Sequence, residues 1–316
     1  MSNRVFLGID TSNYTTSVAL LTEEGELLAN IKRPLPVKPG EVGLRQSDAV
    51  FAHVKNLPSA FAEAEPFLRG HTLVAVGVST RPRNQEGSYM PCFLSGISAA
   101  SAVAATTGVP RFSFSHQCGH IMAALYSAGH TELADGEFCA FHVSGGTTEV
   151  LRVRGTESGF SAQIVGGSRD LHAGQVIDRV GVKLGLPFPA GPHMEKLALG
   201  YTGRIPKKKP SVDGTFLHLS GLENLADKLY AQTNDPAQVA AFVLRYIADA
   251  LDTVHRAYRE TYGSMPTVFA GGVMSCSLIR DRLTKPGETF FAAPALSADN
   301  AVGIAVLTRR MFLSQT

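Results

Sequence analysis

Hydrophobic and polar positions alternate in short blocks along most of the chain. RVFLGIDTSNYTTSVALLTEEGELLA, residues 4 to 29, reads as an apolar strand, a turn of Gly, Asp, Ser and Thr, a second apolar strand and a charged turn with glycine. CAFHVSGGTTEVLRVRGTESGF, residues 139 to 160, repeats that plan about 135 residues later. Each predicts a β-hairpin with a tight turn of small residues, and each opens a stretch in which strands alternate with helices. A duplicated α/β lobe is the simplest reading of this pattern.

The first half continues with a buried strand at 72 to 80, a small-residue helix from 92 to 108 ending at Gly108, and a strand VPRFSFSH. Ser115 is placed to cap a helix beginning near His116. In the second half, 173 to 186 and 237 to 263 carry helical periodicity, and PTVFAGGVMSCSLIRDRL is strand, glycine turn and helix. SADNAVGIAVLTRRMFL, 297 to 313, predicts a final helix with Ser297 as N-cap and Asp299 in the first turn.

Length and composition fit this plan: 316 residues, 44% of them hydrophobic, suffice for two lobes, expected at 1–130 and 131–316, with the last helix packing back to the cleft between them. A net charge of +2 gives no general pull toward nucleic acid, and the local run IPKKKP (205 to 210) reads as a solvated loop. Cys92, Cys118, Cys139 and Cys276 form no CxxC pair, so all four are expected as thiols in a reducing compartment. MSNRVFLGID meets Asp10 after one short apolar run, unlike a signal or transit peptide, and no run approaches a membrane span. The expected location is cytoplasmic, without a membrane partner.

The turn VSGGTTE (143 to 149) offers glycines that let backbone approach a ligand, with hydroxyls and amides suited to phosphate oxygens; an ordinary hairpin also uses Ser-Gly-Gly. A second such turn, GIDTSNYTT (8 to 16), and the FAGGV turn with Gly271 and Gly272 favour the phosphate and nucleoside clamp of an actin-like, sugar-kinase-like or Hsp70-like (ASKHA) fold, two lobes around a nucleotide cleft. His116 and His120, four apart, fall on one helical face. They are either ligands of one divalent cation or polar helix residues. Asp299, opening a helix beside a Gly- and Ala-rich run, is the best candidate for a third ligand, and such a set leaves positions open for substrate oxygens. Arg81 and Arg83, flanking Pro82, suit a phosphate or carboxylate, or sit on a solvated loop. His172 and His218 read first as half-buried or surface histidines.

GIDTS, the HxxxH pair, VSGGTTE, GQVIDRVGVKLGLPFPAGP, HLSGL, FAGGV and SADNAVGIA, in this order and spacing, resemble the TsaD family, once described as O-sialoglycoprotein endopeptidases or M22 peptidases. The resemblance covers nearly the whole chain. It implies metal-dependent transfer of a threonylcarbamoyl group from threonylcarbamoyl-adenylate to a tRNA adenosine, with TsaB-like and TsaE-like protein partners. It implies iron or zinc on His116, His120 and Asp299, which are also the catalytic set. His142, Val143, Ser144, Gly145 and Gly146 correspond to the strand and turn along the adenylate phosphate, Asp178 to a ribose-binding aspartate, and Gly191 to a glycine under the nucleoside. Gly271, Gly272 and Cys276 complete the nucleotide-binding set; Cys276 stands where the family has asparagine.

The chain departs from the family pattern at several other positions. DTSNYTT replaces ETSCDET, Arg81-Pro82-Arg83 replaces Gly-Pro-Gly, Gln175 replaces an acid, and Glu223 replaces a lysine. A diverged paralog that binds a nucleotide or acyl-adenylate, as a partner subunit or toward another carbamoyl acceptor, is the alternative. No HExxH helix supports a protease. A sugar kinase would need a catalytic aspartate in the cleft and no histidine pair.

Overall fold

The N-terminal apolar run forms strand β1 (Arg4–Ser12) and its partner forms β2 (Thr15–Thr22). Ser12 pairs with Thr15, so the turn is only Asn13 and Tyr14. A computed structural model describes residues 3–36, 44–156, 159–297 and 301–315. It divides into two units: 1–135 with 155–162 and 298–316, and 136–154 with 163–297.

In the first unit, β3 (Leu27–Pro34), α1 (Gln46–Leu68), β4 (Thr72–Arg81), α2 (Phe93–Thr107), β5 (Arg111–Ser115) and α3 (His116–Ala128) follow in chain order. The sheet runs β3-β2-β1-β4-β5, with β1, β2 and β3 antiparallel and β1, β4 and β5 parallel. Leu7 and Ile9 of β1 pack with Leu57, Ala60 and Ala64 of α1 and with Ala100 of α2. Phe6 lies against Phe312 of the last helix, Val302–Leu313, with ring centroids 5.6 Å apart. Coverage on both faces explains why β1 is a continuous apolar run rather than an alternating one.

The second unit contains β6 (Glu137–Val143), most of β7 (Thr148–Thr156) and β8 (Gly159–Ser168), α4 (Ala173–Lys183), α5 (Gly191–Leu199), β9 (Ser211–Asp213) and β10 (Phe216–His218). It continues with α6 (Ser220–Thr233), α7 (Pro236–Tyr262), β11 (Thr267–Ala270), α8 (Ser277–Leu283), β12 (Thr289–Phe291) and α9 (Pro294–Ser297). The last helix, α10, belongs to the first unit. The second sheet runs β12-β11-β6-β7-β8-β10-β9. Its β8-β7-β6-β11-β12 portion repeats the order of the first sheet, with a short hairpin added at the β8 edge. Phe141 and Val143 face a core built largely from α4, α5 and the 27-residue α7. Asp235 caps α7 by accepting from the amides of Ala237 and Gln238.

Two differences from the sequence reading follow from packing. The final helix starts at Val302, not Ser297, which instead ends the short helix α9 opened by Pro294. That helix is part of the first unit because its first turns lie in contact with α3 and β1. A Cβ on Gly303 would sit 1.8 Å from the Gly119 carbonyl oxygen, and one on Gly8 would sit 2.5 Å from that of Ala301. Neither position accepts a side chain. Gly303→Ala is therefore expected to lower the stability of this unit by about 3 kcal/mol, or to prevent its folding; an unchanged denaturation midpoint would contradict the close approach.

Candidate functional site

The histidine pair is fixed by the junction between β5 and α3. Ser115 is extended, and its hydroxyl accepts from the Cys118 amide, so the helix starts at His116 without a linker. His116 Nδ1 lies 3.0 Å from Oδ1 of Asp10 on β1, and the hydroxyl of Ser79 on β4 donates to that same oxygen. Asp10 is fully buried, and among the described residues its Oδ2 has no hydrogen-bond partner. Across the helix turn, His120 Nε2 lies 2.9 Å from His116 Nε2. The carboxylate assigns the proton of His116 to Nδ1 and leaves its Nε2 lone pair facing His120.

This donor set fits a divalent metal. Two imidazole nitrogens converge from consecutive helical turns, and one ring is held from behind by a carboxylate, as ligating histidines usually are. Among the described residues, no three His, Cys, Asp or Glu side chains form a set able to hold a metal. Asp299 lies outside the described residues. Its described neighbours Ala301 and Gly303 lie against Gly8 and Gly119, the latter between the two histidines in sequence.

Several hydroxyls of β1 and β2 on either side of the first turn are engaged inside the unit. Thr11 donates to the Cys92 carbonyl and accepts from the Gly96 amide, Thr16 bonds His53, and Ser17 donates to the Asp10 carbonyl. His53 reaches the Ser12 carbonyl through Nε2, and burial pushes its pKa down. These bonds fix the two strands that carry the turn.

In the second unit, His142 and Val143 end β6, and Ser144, Gly145 and Gly146 form the turn to β7. Gly145 and Gly146 are exposed. Gly271, at a φ of 100°, lets its backbone pass against the Val143 carbonyl, where a Cβ would fall 2.2 Å away. Gly174 likewise abuts Gly145. Asp178 on α4 accepts from the Ala190 amide just before Gly191. Glu195 on α5 accepts from the amide and hydroxyl of Ser277, next to Cys276. The predicted residues of this unit thus lie on elements tied to one another at the ends of β6 and β11, with Gly272 opening the turn after β11.

The sequence family model described as "TsaD: tRNA N6-adenosine threonylcarbamoyltransferase" matches residues 47–306. The chain belongs to the TsaD family. It is 32% identical over 324 aligned residues to tRNA N6-adenosine threonylcarbamoyltransferase of Streptococcus suis, covering 97% of this chain and 92% of that protein. Its fold is the duplicated ASKHA fold. It resembles T. kodakarensis HypF, with a TM-score of 0.60 and 14% identity over 99% of this chain and 48% of HypF, so it spans about half that protein. A ROK family glucokinase from Streptomyces griseus, in complex with glucose and AMPPNP, matches with a TM-score of 0.53 and 15% identity, over 97% and 99% of the two chains.

Several departures from the TsaD pattern have local explanations. Gln175 closes a capping box at the start of α4, its Oε1 accepting from the His172 amide, a task that needs no charge. Glu223, in place of a lysine, pairs with Arg179 at 3.1 Å and Lys183 at 2.8 Å. Cys276 is buried, and burial pushes its thiol up to about 11, so it remains neutral at pH 7. His218 lies 3.8 Å from Asp170, and Lys207, Lys208 and Lys209 are exposed outside regular structure. Asp10 and Ser79 are the site residues that sequence reasoning missed; an acid closing the buried run VFLGI is the signal that marks the first.

Asp10→Asn is expected to weaken metal binding about 10- to 100-fold, measured by competition against a chromophoric chelator; an unchanged affinity would show that the carboxylate does not support the histidine. Burial opposes ionisation of Asp170, but hydrogen bonds from the Leu219, Ser220 and Leu171 amides and the Ser220 hydroxyl outweigh it and hold its pKa at about 2. Its stabilising contribution is therefore complete above the ordinary aspartate pKa of about 3.9 and falls away as pH drops toward 2. Asp170→Asn should cost about 1–2 kcal/mol at neutral pH and flatten that acid limb. Denaturation midpoints measured across this range test both effects.

Proposed function

We propose that the protein transfers a threonylcarbamoyl group from threonylcarbamoyl-adenylate to an adenosine of tRNA, with a divalent metal, iron or zinc, held by His116, His120 and Asp299. The observation that carries this reading is the convergence of two histidine nitrogens in front of the buried Asp10, within a chain of the TsaD family. When bound, the metal supplies Lewis-acid polarisation of the carbamoyl carbonyl. Asp10 and Ser79 hold His116 in one orientation, so the site is set before substrate arrives. The residues His142, Val143, Ser144, Gly145 and Gly146 lie along the adenylate phosphate, with backbone amides steadying the leaving group. Asp178 holds the ribose, Gly191 and Gly272 leave room for the nucleoside, and Gly271 and Cys276 complete the nucleotide-binding set.

In the reaction, the exocyclic amine of adenosine attacks the carbamoyl carbon, the bond from that carbon to the phosphate oxygen breaks, and AMP and a proton leave. TsaB-like and TsaE-like proteins are the partners implied by the family. A second reading is favoured by the Arg179–Glu223–Lys183 network, which puts an acid where the family has a lysine. In it, the protein binds an adenylate as a partner subunit or serves another carbamoyl acceptor.

The test is the affinity for threonylcarbamoyl-adenylate and for AMP, with metal, after chelation, and in His120→Ala. Metal should strengthen binding of the acyl-adenylate alone by about tenfold or more, roughly 1.4 kcal/mol. Equal binding of both ligands, unaffected by chelation, would favour the partner-subunit reading.

A further inference from the structure

A small cavity lies on the edge of the first sheet, lined by Arg81, Asn84, Ser113, Ser115, Cys118 and Phe160, all within the first unit. Its volume is about 90 Å³. That is far below the ~300–1,000 Å³ of sites for drug-sized ligands, and suits only a few heavy atoms. β5 is the terminal strand of its sheet, so the cavity sits where the ladder ends.

The guanidinium of Arg81 is already oriented. Nη1 donates to the Thr80 hydroxyl at 3.2 Å, and Nη2 donates to Asn84 Oδ1 at 2.8 Å. Asn84 is itself fixed, its Nδ2 donating to the Phe160 carbonyl and lying 3.2 Å from Cys118 Sγ. Both partners of Arg81 are neutral, so they position its charge without cancelling it. Among the described residues, Arg81 forms no ion pair with a carboxylate. Two of its five N–H donors are used, which leaves three for a ligand. Beside the apolar Phe114, Phe160 and Leu307, the wall combines one fixed positive charge with the polar Asn84, Ser113 and Ser115, complementary to an oxyanion.

The cavity is distinct from the histidine pair. Cys118 follows His116 by two residues, about 200° around the helix, so it faces away from the side that carries His116 and His120. Its charge also belongs to this chain: Arg81-Pro82-Arg83 stands where the TsaD pattern has Gly-Pro-Gly. We propose that this cavity binds a small oxyanion, a carboxylate or phosphate group, through the preset fork of Arg81. The inference does not depend on the transferase reading.

The experiment uses the full chain, chelated and at constant ionic strength, titrated calorimetrically with inorganic phosphate and with acetate. Saturable binding of at least one anion is expected, equal in wild type and His120→Ala, and at least tenfold weaker in Arg81→Gln. Asn84→Asp places a carboxylate beside the guanidinium, and it should abolish binding while the circular dichroism spectrum is unchanged, which covers the case of a misfolded Arg81 variant. The anion that binds more tightly identifies the ligand group. Absence of saturable binding by either anion overturns the proposal. So does wild-type affinity in folded Arg81→Gln and Asn84→Asp, or loss of binding in His120→Ala alone.

Discussion

A carboxylate with no exposed surface, at the end of a strand covered on both faces, destabilises a fold by several kcal/mol unless it is hydrogen-bonded and electrically balanced. Asp10 is that carboxylate, and the arrangement around His116 follows from its needs. Ser79 and His116 serve one oxygen, and among the described residues the other has no partner. Three successive parallel strands contribute: Asp10 from β1, Ser79 from β4, and His116 from the helix that directly continues β5. Sheet order thus becomes ring orientation, and ring orientation points Nε2 toward His120.

The packing of the last helix serves the same end. Glycines at 8, 119 and 303 bring α10 into backbone contact with both β1 and α3, the two elements that carry Asp10 and the histidines. Side chains there would push the helix away. The closeness required by the site and the closeness required by the core are therefore the same constraint.

Much of this was legible from residue patterns. The two hairpins, the Ser115 cap and the strand, turn and helix around FAGGV follow from periodicity and small residues, and the structure contains each. α1 was not readable, because Pro58 and Pro66 interrupt it and alanines dilute its apolar face. The role of Asp10 was hidden for another reason. It is created by three strands meeting, which no local window contains. Gln175 and Glu223 look like losses of function in sequence, but structurally they are a neutral cap and one half of an ion-pair network.

Anomalous X-ray diffraction from crystals of the metal-loaded protein, recorded at the absorption edge of the bound ion, tests the central arrangement most directly. The expected result is one peak at bonding distance, about 2.0–2.1 Å, from Nε2 of both His116 and His120, with Asp10 still on Nδ1 of His116. A peak elsewhere, or a metal bound through Nδ1 of His116, would contradict it.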